Sequence, residues 1–399
     1  MATKVPAGLT HSRADLVDGP LKGYHHLAFA VRLERNSPLA KEFPWLKLRE
    51  PRPGVFWYDL RWFASEDLLL RLVHRQGGEL SRRVPKVGSY LDGGQRVNFL
   101  AFIEGTTLDR VRGGRPGRVS ERHLDQLGDL FRTLAAVDTR KLSPHGTPPS
   151  CCADRYRAAA GSGGSRSTEF LRLLTRHTVL HAYKDRRSDF EELMELLGVP
   201  LGALGAFARR TPQLTDRPRM LLHGDLHRKN LVVDRAGDLW FIDWELALLG
   251  DPLYDLATHL HLMGYQPDQE QGVIDRWTRA VGPARSAGLE PDLPHYLAYK
   301  RVQSLCTDVL RAATRLVEAA EPPDTQAADV RLRGTAALVG KALAAAREPL
   351  RLEKVPPAPA IENAFHDWWR RAWAAAGPAA GPGTGSATGC PGPSSSPER

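Results

Sequence analysis

The segment from Met220 to Glu245 constrains the fold of this chain more than any other. It reads HGDLHRKN at residues 223–230 and FIDWE at residues 241–245. Two short apolar runs, residues 231–233 and 239–242, flank the turn-rich connector DRAGD at residues 234–238. Apolar runs separated by such a connector predict a β-hairpin. Asp225 and Asn230 would then lie on the loop that enters the hairpin, and Asp243 would leave its far end.

Three polar side chains around this hairpin have the spacing of a reaction centre. Asn230 follows Asp225 by five residues, and Asp243 lies thirteen beyond Asn230. An isolated loop Asp is usually a turn former, but the joint spacing favours function. Phosphoryl transfer needs a carboxylate beside the attacking hydroxyl and oxygen ligands for magnesium. We therefore predict that Asp225 is catalytic and that Asn230 and Asp243 bind Mg²⁺.

The rest of the chain divides into a sheet-rich part and a helical part. Strand patterns at 27–31, 45–48 and 97–103 surround one helix pattern that begins after Ser65, a candidate N-cap. The residues Thr106 to Asp109 have capping-box spacing, which predicts the start of a further helix. The predicted boundaries are a flexible N-terminus at 1–20, a nucleotide-binding N-lobe at 21–105, a helical C-lobe at 106–376 that carries the catalytic loop and the substrate site, and a disordered low-complexity tail at 377–399. The fold class is α+β.

The motifs resemble those of the aminoglycoside phosphotransferase (APH) family of small-molecule kinases. The resemblance is carried by HGDLH…N at 223–230, IDWE at 242–245, and DP…DLA at 251–257. It implies a bilobal, protein-kinase-like fold with a small β-rich N-lobe and a larger, mainly helical C-lobe. It also implies that Asp225 is the base or orienter for the acceptor hydroxyl, and that Asn230 and Asp243 hold magnesium. Trp244 and Glu245 stand where typical protein kinases have Phe-Gly, which favours the small-molecule branch.

The resemblance places the nucleotide site in the first lobe. Lys47 and Arg49 lie on one face of a predicted strand; Lys47 is the better match for the phosphate-binding lysine, and Arg49 is the reserve. The ion-pair partner is expected to be Glu66. Backbone groups near Ala101 and Ile103 resemble the hinge that pairs with the purine edge.

The phosphate-covering loop departs from the expected pattern. A G-x-G-x-x-G loop brings several backbone amides close to the phosphates. Here the stretch GYHHL at 23–27 contains the single glycine Gly23. His25 and His26 are candidate replacement donors.

Four further side chains are expected to support the site. His223 is predicted to be a buried histidine that donates to a backbone carbonyl, and Asp255 to hydrogen-bond the catalytic loop or to stabilise a helix start. His227 lies two residues after Asp225, where a contact with phosphate or substrate is the hypothesis. Glu245 is a candidate substrate contact, since it belongs to an acidic group that could complement a cation: Glu245, Asp251, Asp255, Asp268 and Glu270.

Composition excludes several other classes. The chain is 42% hydrophobic and 25% charged, as in soluble globular proteins. Its net charge of +9 is spread along the sequence, so we expect no nucleic-acid partner. Four cysteines without CxxC spacing favour a reducing compartment. With no apolar run near the length of a bilayer span and no signal pattern, we expect a cytoplasmic protein without a membrane partner, as a monomer or homodimer.

The predicted function is an ATP- or GTP-dependent O-phosphotransferase acting on a small hydroxylated molecule, with Mg²⁺ as cofactor. An aminoglycoside or a related cationic metabolite or antibiotic is the first acceptor class. One alternative is a kinase of choline, homoserine, a sugar or a fructosamine. Choline would require an aromatic cage, for which the candidate rings are Trp244, Tyr254, Trp277 and Tyr296. A second alternative is a catalytically silent, kinase-like binding module.

Overall fold

A computed structural model describes residues 14–21, 25–35, 38–52, 59–92, 94–111, 118–142, 166–178, 187–200, 202–319 and 322–376. The chain forms two compact units. The first combines Met1–Leu171 with Pro212–Leu297, and the second combines Arg172–Thr211 with Ala298–Arg399. Residues 1–13 of the predicted N-terminus, Gly23 and the predicted tail at 377–399 lie outside the described residues.

Strands dominate the beginning of the first unit. The strands are β1 (Ala14–Leu21), β2 (His26–Leu33), β3 (Trp45–Pro51), β4 (Val87–Asp92), β5 (Gln95–Ala101), β6 (Thr106–Thr107), β7 (Met220–Leu222), β8 (Leu231–Val233), β9 (Leu239–Phe241) and β10 (Leu248–Gly250). The first five form an antiparallel sheet in the order β1-β2-β3-β5-β4. β1 covers residues 14–20, for which a flexible lead-in was expected, so that expectation was wrong there.

Helices dominate the later part of the chain. The helices are α1 (Glu66–Gln76), α2 (Glu121–Ala136), α3 (Arg166–His177), α4 (Arg187–Leu196), α5 (Ala203–Arg209), α6 (Pro252–Met263), α7 (Pro267–Val281), α8 (Pro283–Ser286), α9 (Leu289–Glu318), α10 (Gln326–Leu350) and α11 (Ala358–Ala376). The predicted α+β class, β-rich first and mainly helical afterwards, is confirmed. The lobe boundaries at 105 and 376 remain predictions.

Alternation along β3 determines which side chains reach the site. Leu46 and Leu48 are buried in the core of the sheet, where Phe99 also packs. Because successive strand residues point to opposite faces, Lys47 and Arg49 share the other face. α1 begins where expected, since the Ser65 hydroxyl accepts from the Leu68 amide at 3.1 Å.

The catalytic hairpin forms as the sequence predicts. β8 pairs with β9 in antiparallel register, with Leu231 opposite Phe241. Thr106 and Thr107 add a third strand, β6, by pairing with β8. The expected helix start at Thr106–Asp109 was therefore wrong, because pairing with a distant strand satisfied these backbone groups. None of the helices in the described part of the chain is long and apolar enough to span a bilayer.

The second unit is built from helices. Its residues include α4, α5, α10 and α11 and parts of α3 and α9. Phe190 of α4 stacks on Trp368 of α11 with ring centroids 5.7 Å apart. Gly198 has a φ of 77°, which ends the turn after α4.

Candidate active site

The hairpin brings the two predicted magnesium ligands together. The Ile242 amide donates to the Asn230 carbonyl at 3.0 Å, so Asp243 directly follows a residue bonded to Asn230. The Asn230 side-chain amide donates to the Asp225 carbonyl at 2.8 Å and to its carboxylate at 3.2 Å. These contacts leave the amide oxygen of Asn230 as the atom that can accept a cation. Asp225, Asn230 and Asp243 therefore form one local cluster.

The Asp225 carboxylate is accessible, and the Asp243 carboxylate is partly buried among other charges. The Asp225 side chain is 29% exposed, and His227 Nε2 lies 3.5 Å from its Oδ2. Burial raises the pKa of Asp243 to about 6; the charge of Lys47 opposes this rise, and Glu245, Glu66 and Asp225 add to it. Such a carboxylate is stabilised by a nearby cation. Accessibility suits a base that meets substrate, and a position among carboxylates suits a metal ligand.

His223 joins the catalytic loop to the end of the hairpin. Its side chain is fully buried, with Nε2 donating to the Ile242 carbonyl at 3.2 Å and Nδ1 accepting from the Asp225 amide at 3.3 Å. Burial lowers the pKa of His223 to about 4, so the ring is neutral. The ring packs on Trp244, with centroids 4.5 Å apart. The predicted donation from a buried histidine to a carbonyl is present.

Helix α6 holds the catalytic loop from the other side. The carboxylate of Asp255 is fully buried and accepts from the His223 amide at 3.0 Å and the Gly224 amide at 2.9 Å. One turn later, His259 Nδ1 donates to the Leu226 carbonyl at 2.9 Å, while Nε2 accepts from the Tyr265 hydroxyl at 2.9 Å. The loop contact predicted for Asp255 is present. The contact of His259 was missed, although its four-residue spacing from Asp255 places both on one helix face.

A buried ion-pair network fixes the start of α6. Asp251 caps the helix by accepting from the Leu253 amide at 2.9 Å. Asp251 also forms an ion pair with Arg217, whose Nε lies 3.0 Å from Asp251 Oδ1. Nη1 of the same arginine lies 2.7 Å from Asp292 Oδ2. All three charged side chains are almost completely buried. The network therefore belongs to the scaffold beneath the loop.

The prediction for the ion-pair partner of Lys47 needs a correction. Glu66 pairs with Arg49 and not with Lys47, and the second guanidinium nitrogen of Arg49 lies 2.6 Å from Asp67. Arg49 supplies two donors in a planar fork, which a lysine cannot match. Lys47 instead interacts electrostatically with Asp243. Glu66 also accepts from the Trp244 amide at 2.9 Å, which ties α1 to the residue after Asp243.

Of the two residues predicted for the hinge, Ala101 and Ile103, one has a backbone amide that makes no hydrogen bond within the described residues. The Ala101 amide donates to the Lys86 carbonyl at 2.8 Å, and the Phe102 amide to the Trp45 carbonyl at 3.1 Å. The Ala101 amide is therefore unavailable to a purine. Among the described residues, none accepts from the Ile103 amide, so this amide stays the predicted hinge donor of the pair.

The acidic group does not form the expected cation-binding surface. Asp251 and Asp255 are buried and hydrogen-bonded within the protein. Asp268 pairs with Arg118 at 2.6 Å. Glu245 is held by His25 and His26. The positions of these side chains therefore give no support for a cationic acceptor, and the role of Glu245 as a substrate contact stays a prediction.

A comparison with protein-family models identifies the family. The model of the phosphotransferase enzyme family, APH, matches residues 22–291. The chain belongs to this family. The matched range contains Asp225, Asn230 and Asp243, so the cluster lies within the part of the chain that defines APH membership. None of the curated protein sequences matches the chain.

Solved structures of other phosphotransferases resemble this APH chain distantly. A choline/ethanolamine kinase family protein from Mesorhizobium loti is 17% identical, with a TM-score of 0.44 over 91% of this chain and 96% of that one. The macrolide 2'-phosphotransferase MphH from Brachybacterium faecium is 17% identical, with a TM-score of 0.42 over 84% and 91%. A thermostable mutant of aminoglycoside phosphotransferase APH(4)-Ia is 16% identical, with a TM-score of 0.45 over 85% and 94%.

The donor set fits magnesium. Hard oxygen atoms from one carboxylate and one amide are what Mg²⁺ takes from a protein when nucleotide phosphates and water complete its shell. Within the described ranges, no three His, Cys, Asp or Glu side chains form a cluster that could hold a metal unaided. Desolvation and neighbouring carboxylates raise the pKa of Asp243, and a bound cation would favour its ionised form.

Proposed function

We propose that this APH-family chain transfers the γ-phosphoryl group of ATP or GTP to a hydroxyl of a small molecule. The observation that carries the proposal is the cluster of Asp225, Asn230 and Asp243, in which the accessible Asp225 carboxylate lies beside the two oxygen ligands for a metal. Aminoglycosides and related amino-sugar antibiotics are the first acceptor class to test. Family membership supports that class; the disposition of the acidic side chains does not.

In the proposed reaction, each side chain has one task. The accessible Asp225 carboxylate accepts the proton of the acceptor hydroxyl while the hydroxyl oxygen attacks the γ-phosphorus. The bond between the γ-phosphorus and the β,γ-bridging oxygen breaks, and the nucleoside diphosphate leaves. Asn230 and Asp243 would hold Mg²⁺, which neutralises charge on the phosphates. Lys47, next to Asp243, is the candidate phosphate contact. The pair of Arg49 and Glu66 keeps the segment after Asp243 in place through the Trp244 amide.

The four aromatic rings proposed for a choline-binding cage are buried. Trp244, Tyr254, Trp277 and Tyr296 are all at most 4% exposed. Tyr254 and Tyr296 pack against each other in the core with centroids 6.5 Å apart. A cage for an ammonium group needs ring faces that a ligand can reach. These four rings therefore do not support a choline site.

An acceptor panel tests the proposal. Purified protein with Mg²⁺ and γ-labelled ATP or GTP is offered aminoglycosides, peptide antibiotics and amino-alcohol metabolites, choline included. We expect one class to gain a single phosphoryl group, detected as label in the acceptor and as a matching mass increase. A magnesium-dependent thermal shift with each nucleotide is measured in parallel. Absence of both transfer and nucleotide binding would contradict the proposal and favour a silent binding module.

A further inference from the structure

Two adjacent histidines hold one carboxylate near the metal ligands. His25 Nδ1 lies 2.6 Å from Glu245 Oε1, and His26 Nδ1 lies 3.1 Å from Glu245 Oε2. The Glu245 side chain is 14% exposed. A carboxylate oxygen accepts hydrogen bonds, so both Nδ1 atoms donate to Glu245.

This convergence is not a by-product of strand geometry. β2 begins at His26, and His25 extends its pairing by accepting the Arg52 amide at 3.0 Å. Consecutive residues of an extended strand point to opposite faces, yet these two imidazoles reach the two oxygens of the same side chain. Holding a single glutamate requires only one of them. Two converging donors form a site for an anion that presents two oxygens.

The position of the histidines indicates which anion. They immediately follow residues 22–24, where the sequence offers Gly23 as the only glycine for a phosphate loop. β2 pairs with β3, with Ala30 opposite Lys47 and Ala28 opposite Arg49. Lys47 interacts with Asp243, and Arg49 interacts with both Asp243 and Glu245. The imidazole donors therefore contact a carboxylate, Glu245, that also interacts with Arg49, and Arg49 interacts in turn with Asp243.

We propose that Glu245 is an internal substitute for nucleotide phosphate. In the ligand-free protein its carboxylate occupies the Nδ1 donors of His25 and His26; when nucleotide binds, a phosphate group displaces it and takes both hydrogen bonds. The two histidines thereby supply the donors that loop amides supply in glycine-rich phosphate loops. This inference rests on the proposed function, because it requires nucleotide binding at the site.

Nucleotide affinities with and without phosphates test this inference. Isothermal titration calorimetry measures ATP, ADP and adenosine binding to the full chain and to four variants: H25A/H26A, H25N/H26N, Glu245→Gln and His366→Asn. Asn places an N–H donor near the position of Nδ1, so the Asn pair tests rescue. His366 forms a separate ion pair, with Asp324 at 3.0 Å, and serves as the matched control.

The expected pattern separates phosphate contacts from a structural role. H25A/H26A should weaken ATP and ADP binding by about tenfold or more, the loss of at least one hydrogen bond to a charged group, and leave adenosine binding unchanged. H25N/H26N should recover part of that loss. Glu245→Gln should tighten ATP binding by roughly three- to tenfold, because a neutral amide competes less well for the donors. His366→Asn should change none of these affinities.

Three outcomes overturn the inference: equal loss of ATP and adenosine affinity in H25A/H26A, unchanged ATP affinity in that variant, or weaker ATP binding in Glu245→Gln. If the histidine pair fails to fold by circular dichroism, Glu245→Gln alone decides, since tighter ATP binding supports the inference and unchanged or weaker binding overturns it. Wild-type protein that binds no nucleotide overturns the proposed function as well. If the wild-type protein binds nucleotide and transfers phosphate, and the histidine and Glu245 variants bind nucleotide as the wild type does, only this inference is overturned.

Discussion

Replacing Asp255 by alanine tests how the scaffold positions the catalytic loop. Its buried carboxylate accepts from the amides of His223 and Gly224 at 3.0 and 2.9 Å, and Gly224 is bonded directly to Asp225. In Asp255→Ala, both amides lose a charged acceptor in the buried interior, where solvent cannot replace it. The loop should loosen at the residue that carries the base.

The contacts give the size of the effect. Hydrogen bonds to charged groups contribute about 1.5–3 kcal/mol each, so losing two should lower the free energy of unfolding by about 3–6 kcal/mol. Asp255→Asn keeps one acceptor oxygen and should lose about half as much. A displacement of Asp225 by about 1 Å should lower kcat by roughly 100-fold. The KM for nucleotide should change far less, because Lys47 and Asp243 are untouched.

Urea unfolding and steady-state phosphoryl transfer are the assays. Asp251→Asn is the matched control. Asp251 is buried like Asp255 and caps the helix on which Asp255 lies, but it does not contact the amides of His223 and Gly224. This control should lower stability while keeping kcat in the surviving folded protein. A stability loss below about 1 kcal/mol in Asp255→Ala, or a kcat loss as large in the control, would refute this account of the loop.

Three more perturbations have defined outcomes. Gly224 has a φ of 79°, and an added Cβ would overlap the Leu246 carbonyl oxygen, so Gly224→Ala should destabilise the fold by more than about 1 kcal/mol in urea and abolish transfer; a wild-type urea midpoint would contradict this. Burial lowers the pKa of His259 from 6.5 to about 4, so the stability it contributes above pH 6.5 should be lost as the pH falls to 4, by about 3 kcal/mol. Unfolding titrations should therefore give a shallower pH dependence for His259→Gln than for wild type, and equal slopes would be evidence against this assignment. Arg49→Lys removes the forked contact to Glu66 and Asp67 and should raise the nucleotide KM by about tenfold; an unchanged KM would show that the fork is dispensable.

Local patterns predicted the hairpin and the position of the reacting groups. The connector at 234–238 closes the loop between β8 and β9, and the apolar runs on either side pair as an antiparallel hairpin. Because that pairing places Ile242 against Asn230, it also brings Asp243 to Asn230. The cap at Ser65 follows from the same kind of nearby hydrogen bond. Features that depend on contacts between residues less than about 20 positions apart can be predicted from the sequence.

Contacts between distant residues account for the wrong predictions. Lys47 and Arg49 share a strand face, and the sequence cannot tell which one meets Glu66; the fork geometry of Arg49 decides it. Thr106 and Thr107 pair with β8 instead of starting a helix. The partners of Glu245 lie some 220 residues earlier, at His25 and His26. A local pattern gives no information about such partners.

The central claim is that Asp225 is the group that activates the acceptor hydroxyl. Asp225→Asn keeps the size and one oxygen of the side chain but removes its ability to take a proton. Its single-turnover rate of phosphoryl transfer, at saturating acceptor and Mg²⁺–nucleotide, should fall by about 10²–10⁴-fold with nucleotide affinity and urea midpoint preserved. The control Asp129→Asn, a surface carboxylate that contacts Arg132 at 3.1 Å, should match wild type. A rate for Asp225→Asn within about twofold of wild type would contradict the claim.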